Sequence, residues 1–302
     1  MVRRITPIAL AICSLLARPV HAADPACRVE KRAEVAIALT SGQVTAAGAI
    51  DGKPVRFVID TGAQRTVLSE PAVLRLGLAR DEWVSAWVHG IGGFERHRNA
   101  RLTTLELGGI RLRRRGVEAE TSVAVVPSPD RPEVGLLGTD YLSGLDIDLD
   151  LPAGRMTLYQ VTNCTGDIVP WTAPFAAVHA TRLPSWTLLL PVRANGQPLR
   201  AIIDTGASQT VISTHAATRI GITPEITGRD PPVTTRGVGK ETPTARRHVL
   251  AALQVGPVVQ PDMPVLVLPL PGTATDMLLG TDWLRAHRIW LSMATSRVFL
   301  AR

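Results

Sequence analysis

The stretches FVIDTGA at 57–63 and AIIDTGA at 201–207 decide the fold of this 302-residue chain. They lie 144 positions apart, and a second pair, LLGTDYL at 136–142 and LLGTDWL at 278–284, follows at an offset of 142. Motifs that recur in the same order indicate two copies of one unit. Because two copies are too few for a solenoid, we expect a pseudo-twofold pair that forms one interface.

Each unit shows the same order of predicted elements. An apolar strand leads into Asp51-Gly52 or Asn195-Gly196, which predict type I′ hairpin turns because both central residues must adopt positive φ. The next strand ends in the repeated Asp, and a short β-branched strand follows. Short helices are predicted at about 70–76 and 214–220, each ended by glycine, and at the LLGTD element of each unit. The chain is therefore predicted to be all-β, with units at 23–160 and 176–302 and a linker at 161–175.

The composition is that of a globular chain, with 45% hydrophobic and 20% charged residues. No apolar run reaches the ~18 residues of a membrane-spanning helix, so we expect no stable membrane insertion. Residues 1–22 combine Arg3 and Arg4 with a short apolar stretch and a small-residue cleavage site, which predicts a signal peptide. We expect a periplasmic or secreted protein that begins near Ala23, with an uncleaved anchor as the alternative.

Charge and cysteine usage limit the partners. Without residues 1–22 the net charge falls from +7 to +4, and the arginine runs at 111–115 and 246–248 have few aromatic neighbours. We therefore expect solvated strand edges there and no nucleic-acid partner. Cys27 and Cys164 are candidates for a disulfide, with two unpaired thiols as the alternative. The histidines show no metal-ligand spacing, so we expect no metal and no cofactor.

Five other acids do not form a convincing site. Asp146, Asp148 and Asp150 have the spacing of a calcium loop, but Leu151 stands where that loop needs glycine. We expect a strand with one acidic face. Asp140 and its duplicate Asp282 are interpreted as turn or helix-capping acids.

Asp60 and Asp204 each end an apolar strand, directly before a turn. A single such acid is usually a loop residue that caps its own turn. A twofold axis, however, can bring both strand ends together, and two carboxylates in contact cannot both ionise easily, so they share a proton. One acid can then activate a water molecule while the other protonates a carbonyl group.

The IDTGA motifs at 59–63 and 203–207, with the Leu-Leu-Gly sequences at 136–138 and 278–280, resemble the aspartic proteases, specifically the retropepsin-like group. The resemblance covers nearly the whole mature chain. It implies two fused retropepsin-like β-barrel units, as in a bacterial version of the family, that are active as a single chain. It also implies an aspartic endopeptidase that acts outside the cytoplasm on extended peptides. The alternative is a non-catalytic or weakly active peptide-binding pseudo-protease.

The resemblance also implies a role for each matching residue. Asp60 and Asp204 would be the catalytic dyad, Thr61 and Thr205 would hydrogen-bond beneath it, and Gly62 and Gly206 would donate backbone contacts. Two glycine-rich hairpins match the substrate-covering flaps, with ordinary exposed hairpins as the alternative. Their residues are Gly90, Ile91, Gly92 and Gly93 in the first unit and Gly237, Val238 and Gly239 in the second. Arg65, near the first acid, either lowers a carboxyl pKa or faces solvent.

Overall fold

The computed structural model describes residues 26–301 except 115–120, 236, 238–241 and 271–274. The predicted signal peptide at 1–22 and the predicted flap residues Val238 and Gly239 lie outside this part of the chain. Within the described ranges, no helix has the length and apolar character needed to cross a membrane.

The described residues of the first unit form twelve strands and two short helices, in an order that follows the predicted pattern. They are β1 (Arg28–Thr40), β2 (Gln43–Ile50), β3 (Lys53–Ile59), β4 (Val67–Ser69), α1 (Glu70–Leu76), β5 (Arg80–Gly90), β6 (Gly93–Leu102), β7 (Leu105–Leu107), β8 (Ile110–Leu112), β9 (Thr121–Val126), β10 (Glu133–Leu137), α2 (Thr139–Leu142), β11 (Asp146–Asp150) and β12 (Arg155–Thr162).

The second unit repeats this order with longer strands in place of some split ones. Its elements are β13 (Phe175–His179), β14 (Thr181–Arg182), β15 (Leu188–Ala194), β16 (Gln197–Ile203), β17 (Val211–Ser213), α3 (Thr214–Arg219), α4 (Pro224–Thr227), β18 (Pro232–Thr234), β19 (Thr244–Val255), β20 (Val258–Leu268), β21 (Met277–Leu279), α5 (Thr281–Leu284), β22 (Arg288–Ser292) and β23 (Arg297–Ala301). The predicted all-β class with few short helices is confirmed.

Local sequence signals explain the turns and helix ends. Asp51 and Gly52 have φ of 48° and 75°, and Asn195 and Gly196 have φ of 50° and 78°, as type I′ turns require. Helix α1 matches its predicted range and ends at Gly77 in the left-handed conformation, while α3 ends at Arg219, one residue before the predicted end. The hydroxyls of Ser69 and Ser213 accept the N-terminal N–H groups of these helices.

Six strands of the second unit close into a barrel. Their order is β15-β16-β21-β17-β20-β19, and β19 pairs back onto β15. The first unit has the same order, β2-β3-β10-β4-β9-β6. Two strands, β6 and β7, take the place of the single strand β19, and it is β7 that pairs with β2. The division falls at Thr103 and Thr104, whose N–H groups both bind the Asp51 carboxylate at 2.7 Å.

A second sheet layer joins the two units. Its strands run β13-β23-β22-β11-β12-β1, three from each unit, and β11 pairs with β22 across the boundary. The Asp146–Asp150 segment is strand β11, as predicted. Two of its acids are buried: Asp146 accepts from Trp290 Nε1 at 3.0 Å, and Asp148 accepts from Arg288 Nε at 3.0 Å.

The prediction of solvated strand edges at both arginine runs is wrong for two of their residues. Arg114 is half-buried, donates to the Ser122 carbonyl at 3.1 Å and lies 3.5 Å from the Asp140 carboxylate. Arg246 lies on β19 where that strand pairs with β18 on one side and β20 on the other, so it is not at an edge. Local charge density does not reveal which strands will pair on both sides.

Candidate active site

In each unit the acid follows a strand that pairs with a parallel neighbour, and the pairing is equivalent in the two units. β3 lies parallel to β10 and β16 lies parallel to β21. The N–H groups of Asp60 and Asp204 bond to the carbonyls of Leu137 and Leu279, at 3.0 and 2.9 Å. The Leu-Leu-Gly sequences therefore hold the strand ends from which the acids project, and this explains why both motifs recur together.

Each carboxylate is held by the backbone of its own loop. Asp60 Oδ1 accepts the N–H groups of Gly62 at 3.0 Å and Ala63 at 2.8 Å. The second unit repeats this arrangement, since Asp204 Oδ1 accepts the N–H groups of Gly206 and Ala207, each at 3.0 Å. The same oxygen of each acid is thereby fixed, which leaves the other oxygen for a partner.

The two carboxyl groups lie close together, so the charge of Asp60 acts on Asp204. A Cβ atom on Gly62 would lie 2.5 Å from Cγ of Asp204, and one on Gly206 would overlap Cγ of Asp60. Each loop therefore approaches the opposite acid so closely that only glycine fits. The predicted backbone donations from these glycines are present, and the glycines also make room for the opposite carboxyl group.

Burial raises the pKa of both acids. For Asp204, burial and the negative charge of Asp60 hold the pKa well above its usual range. The hydrogen bonds from the N–H groups of Gly206 and Ala207 lower this pKa, but by less. For Asp60, burial raises the pKa, and the N–H groups of Ala63 and Gly62 oppose this rise. The two acids therefore share one proton, and the pair loses its protons in two separate steps.

Two buried threonines connect the loops beneath the acids. Thr61 Oγ1 donates to the Ile203 carbonyl and Thr205 Oγ1 donates to the Ile59 carbonyl, both at 2.6 Å. Each hydroxyl also accepts the N–H of the opposite threonine, at 3.1 and 3.3 Å. These four bonds cross from one unit to the other, so they fix the separation of the two strand ends.

The duplicated acids of the GTD sequences support this arrangement from outside. Asp140 accepts the N–H and the hydroxyl of Thr66 at 2.8 and 2.7 Å, and the Thr66 hydroxyl accepts the N–H of Gly138 at 3.0 Å. The residue at the helix N-cap position is Gly138, so Asp140 is not the cap. Asp282, Thr210 and Gly280 repeat the pattern. The duplication of the threonines was the sequence signal for this role.

The predicted flap residues that the structure describes bring the two units into contact. Gly90 pairs with Gly93 at the end of the β5–β6 hairpin, with Ile91 and Gly92 in its turn. Ile91 packs against a buried cluster of the second unit that contains Val211, Ala245, Leu266 and Leu268. A Cβ atom on Gly237 would lie 3.2 Å from Cβ of Ile91. The hairpin of the first unit therefore extends across the boundary between the units and contacts the second unit.

The two candidate cysteines are bonded to each other. Cys27 and Cys164 form a disulfide with a Cα–Cα separation of 4.5 Å, which joins the start of β1 to the segment after β12.

Arg65 is exposed, and it is absent from the groups that shift the pKa of Asp60. Of the two readings of Arg65, the structure favours the one in which it faces solvent.

Comparisons with known proteins agree with this geometry. The profile of a family described as aspartyl protease matches residues 46–141 and 190–283. DNA damage-inducible protein 1 of Kluyveromyces lactis is 35% identical over 102 residues, which is 33% of this chain and 23% of that protein. Protein DDI1 homolog 1 of Homo sapiens is 35% identical over 102 residues, 33% of this chain and 24% of that protein. The chain therefore spans about a quarter of the length of these relatives.

A solved structure, the aspartic proteinase from Irpex lacteus, superposes with a TM-score of 0.52 at 14% identity, over 91% of this chain and 97% of that one. This likeness shows the fold. The family match covers more than half of the chain, in two segments that each contain one IDTGA motif. The chain therefore belongs to the aspartyl protease family, with two retropepsin-like units in one polypeptide.

Proposed function

We propose that this protein is an aspartic endopeptidase that hydrolyses peptide bonds in extended polypeptide segments. The observation that carries the proposal is the pair of buried, directly interacting carboxyl groups of Asp60 and Asp204, whose pKa values are both raised. A buried pair that keeps one proton supplies a base and an acid at the same place.

In the proposed reaction a water molecule lies between the two carboxyl groups. The Asp60 carboxylate accepts a proton from the water as its oxygen attacks the peptide carbonyl carbon, and Asp204 donates its proton to the carbonyl oxygen. A neutral gem-diol results. One diol hydroxyl then returns its proton to Asp204 while Asp60 gives its proton to the amide nitrogen, the C–N bond breaks, and the acid and amine products leave. Both acids end in their starting protonation states.

The meeting hairpins support an extended peptide as the substrate. Extended peptides bind by forming backbone hydrogen bonds to strands, with side chains in pockets on alternate sides. Ile91 at the tip of the first hairpin packs against the second unit, so the hairpin must lift before a peptide can reach the dyad. Closure afterwards would exclude bulk water from the reaction.

The test is cleavage of a random peptide library across a range of pH by Asp60→Asn, Asp204→Asn and the control Asp262→Asn. The control makes the same chemical change at an exposed carboxyl on β20. Each dyad variant is expected to lose at least ~10³-fold in kcat, because neither acid can complete the proton transfers alone. Undiminished cleavage by either variant would remove that residue from the mechanism. Peptide binding without cleavage by the unmodified protein would indicate the pseudo-protease instead.

We also propose a periplasmic or secreted location. The Cys27–Cys164 disulfide supports this proposal, since disulfides persist in oxidising compartments. The basic and apolar pattern of residues 1–22 supports it as well. Cell fractionation with N-terminal sequencing is expected to find a mature chain that begins near Ala23. A reduced protein in the cytoplasmic fraction would refute this location.

A further inference from the structure

The side chain of Gln43 connects the first unit to the catalytic loop of the second. Gln43 is the first residue of β2 and follows a tight turn in which Ser41 and Gly42 have positive φ. Its Nε2 donates to the Gly206 carbonyl at 2.6 Å, and the next N–H, that of Val44, donates to the Thr205 carbonyl at 3.2 Å. Two consecutive residues of β2 therefore bind the loop that carries Asp204.

The Gly206 carbonyl belongs to the same peptide group as the N–H of Ala207. That N–H donates to Asp204 Oδ1 at 3.0 Å. A hydrogen bond to the oxygen of an amide makes the N–H of the same amide a stronger donor, because the two ends of a resonating peptide polarise together. Gln43, the Gly206–Ala207 peptide and Asp204 thus form a series of two hydrogen bonds directed at one catalytic oxygen.

The other half of the site has no equivalent series. The residue 144 positions after Gln43 is Thr187, whose Oγ1 pairs with Ser185 Oγ at 2.9 Å within its own turn. Among the residues that the structure describes, none donates to the Gly62 carbonyl, the counterpart of Gly206. The Ala63 N–H therefore reaches Asp60 without such support, although the rest of the dyad is nearly symmetric.

We infer that Gln43 is a positioning residue that acts on Asp204 through the Gly206–Ala207 peptide and makes the two halves of the catalytic pair inequivalent. The inference deepens the proposed function, since it names a residue of the first unit that adjusts an acid of the second. Gln43 stabilises the ionised form of Asp204 and holds its loop in place. It does not touch the reacting atoms.

The surroundings of Asp204 make this effect measurable. The charged group that faces Asp204 is the carboxyl of Asp60, and the other groups that act on it are the backbone N–H groups of Gly206 and Ala207. The loop that approaches from the opposite side presents Gly62, which carries no charge. The flap residues nearest the unit boundary, Ile91 and Gly237, are also uncharged.

The test compares Gln43→Met, Gln43→Lys and Thr187→Val by carboxyl ¹³C NMR titration, with the dyad resonances assigned from Asp60→Asn and Asp204→Asn. Gln43→Met keeps the side-chain length without a donor, so the higher apparent pKa of the dyad is expected to rise by ~0.2–0.5 pH unit. Gln43→Lys restores a donor and adds a positive charge, so the same pKa is expected to fall. Thr187→Val, the matched change in the second unit, is expected to leave the titration unchanged.

The alkaline limb of kcat/KM should move in the same directions as the NMR titration. If Gln43→Met lowers thermal stability but leaves the dyad titration where it is, Gln43 is only structural and the inference is overturned. If Gln43→Lys raises the higher apparent pKa of the dyad, the inference is also overturned. This outcome decides the question even if Gln43→Met fails to fold. If the NMR shifts appear while no protein cleaves peptide, the inference stands and the proposed function fails.

Discussion

The protonation of Asp204 connects the proposed reaction to the stability of the folded protein. Its pKa is raised in the folded protein by burial and by the charge of Asp60, whereas in the unfolded chain it returns to an ordinary value of ~3.9. A carboxyl whose folded pKa is raised contributes its full stability below the unfolded pKa, and this contribution is lost as the pH rises through the folded pKa. The dyad therefore destabilises the folded protein at neutral pH.

We accordingly predict that Asp204→Asn changes stability in a pH-dependent way. As the pH rises from about 4 towards 7, the free energy of unfolding of the variant should increase relative to that of the unmodified protein, because the variant has no proton to lose at this position. Below pH ~4 the difference between the two free energies should become constant. Urea unfolding of both proteins at a series of pH values measures this difference. A difference that stays level over the whole range would contradict the raised pKa.

Gly62 tests how closely the opposite loop must approach. Gly62→Ala would place a methyl group 2.5 Å from Cγ of Asp204, so the carboxyl must move. Because displacements near 1 Å can reduce rates by ~10²-fold, we expect at least that loss in kcat. Gly144→Ala is the matched control, since its Cβ would meet no atom within 4 Å. Equal activity of the two variants would show that the site tolerates the displacement.

At the scale of elements, the pairing of β11 with β22 depends on buried acids. Asp148 is 2% exposed and accepts hydrogen bonds from Arg288 Nε at 3.0 Å, Arg288 Nη2 at 2.6 Å and Trp171 Nε1 at 3.1 Å. The Arg288 guanidinium also lies over the Trp171 ring, 4.8 Å from its centroid. An acid buried between two strands requires these donors, so the pairing of the units depends on charge as well as on apolar packing.

Removal of this arginine should therefore weaken the junction of the units. We predict that Arg288→Met lowers the free energy of unfolding by about 3 kcal/mol, because it leaves a buried carboxylate without its cation. Arg75→Met provides the comparison, since Arg75 pairs with Asp130 on the surface and such pairs contribute at most ~1 kcal/mol. Chemical denaturation measures both. Similar small losses would show that Arg288 is dispensable.

On the scale of the whole molecule, one chain supplies both acids and both halves of the joining sheet. The disulfide also joins residues 137 positions apart, which in the chain-entropy model stabilises the fold by about 5 kcal/mol. These features predict a catalytic unit that is complete in a single chain. Activity per mole of protein should stay constant on dilution, as followed by peptide cleavage over a wide concentration range. A steep loss on dilution would indicate that an assembly of chains is required.

Local sequence determined much of the fold, because turns, caps and strand ends depend on neighbouring residues. Asp51-Gly52 and Asn195-Gly196 require positive φ, and glycine ends α1, so these features were predictable. The duplicated motifs also indicated two equivalent acids. Duplication is a long-range signal that can be read without knowledge of distances, and it made Asp60 and Asp204 the natural candidates.

Other features depended on which strands become neighbours. The burial of Arg114 and the position of Arg246 inside a sheet could not be deduced, since a run of arginines looks the same at an edge and at a paired strand. Gln43 gave no signal either, because its counterpart Thr187 differs and its partner Gly206 lies 163 positions away.

The amino-acid order alone thus determined the two-unit architecture, the acids and their turns, because these rest on short-range conformational preferences and on repetition. Only the tertiary structure decided that the two acids share a proton and that a residue of the first unit binds the loop of Asp204. Both depend on burial and on hydrogen bonds between atoms that become close only when the units pack together.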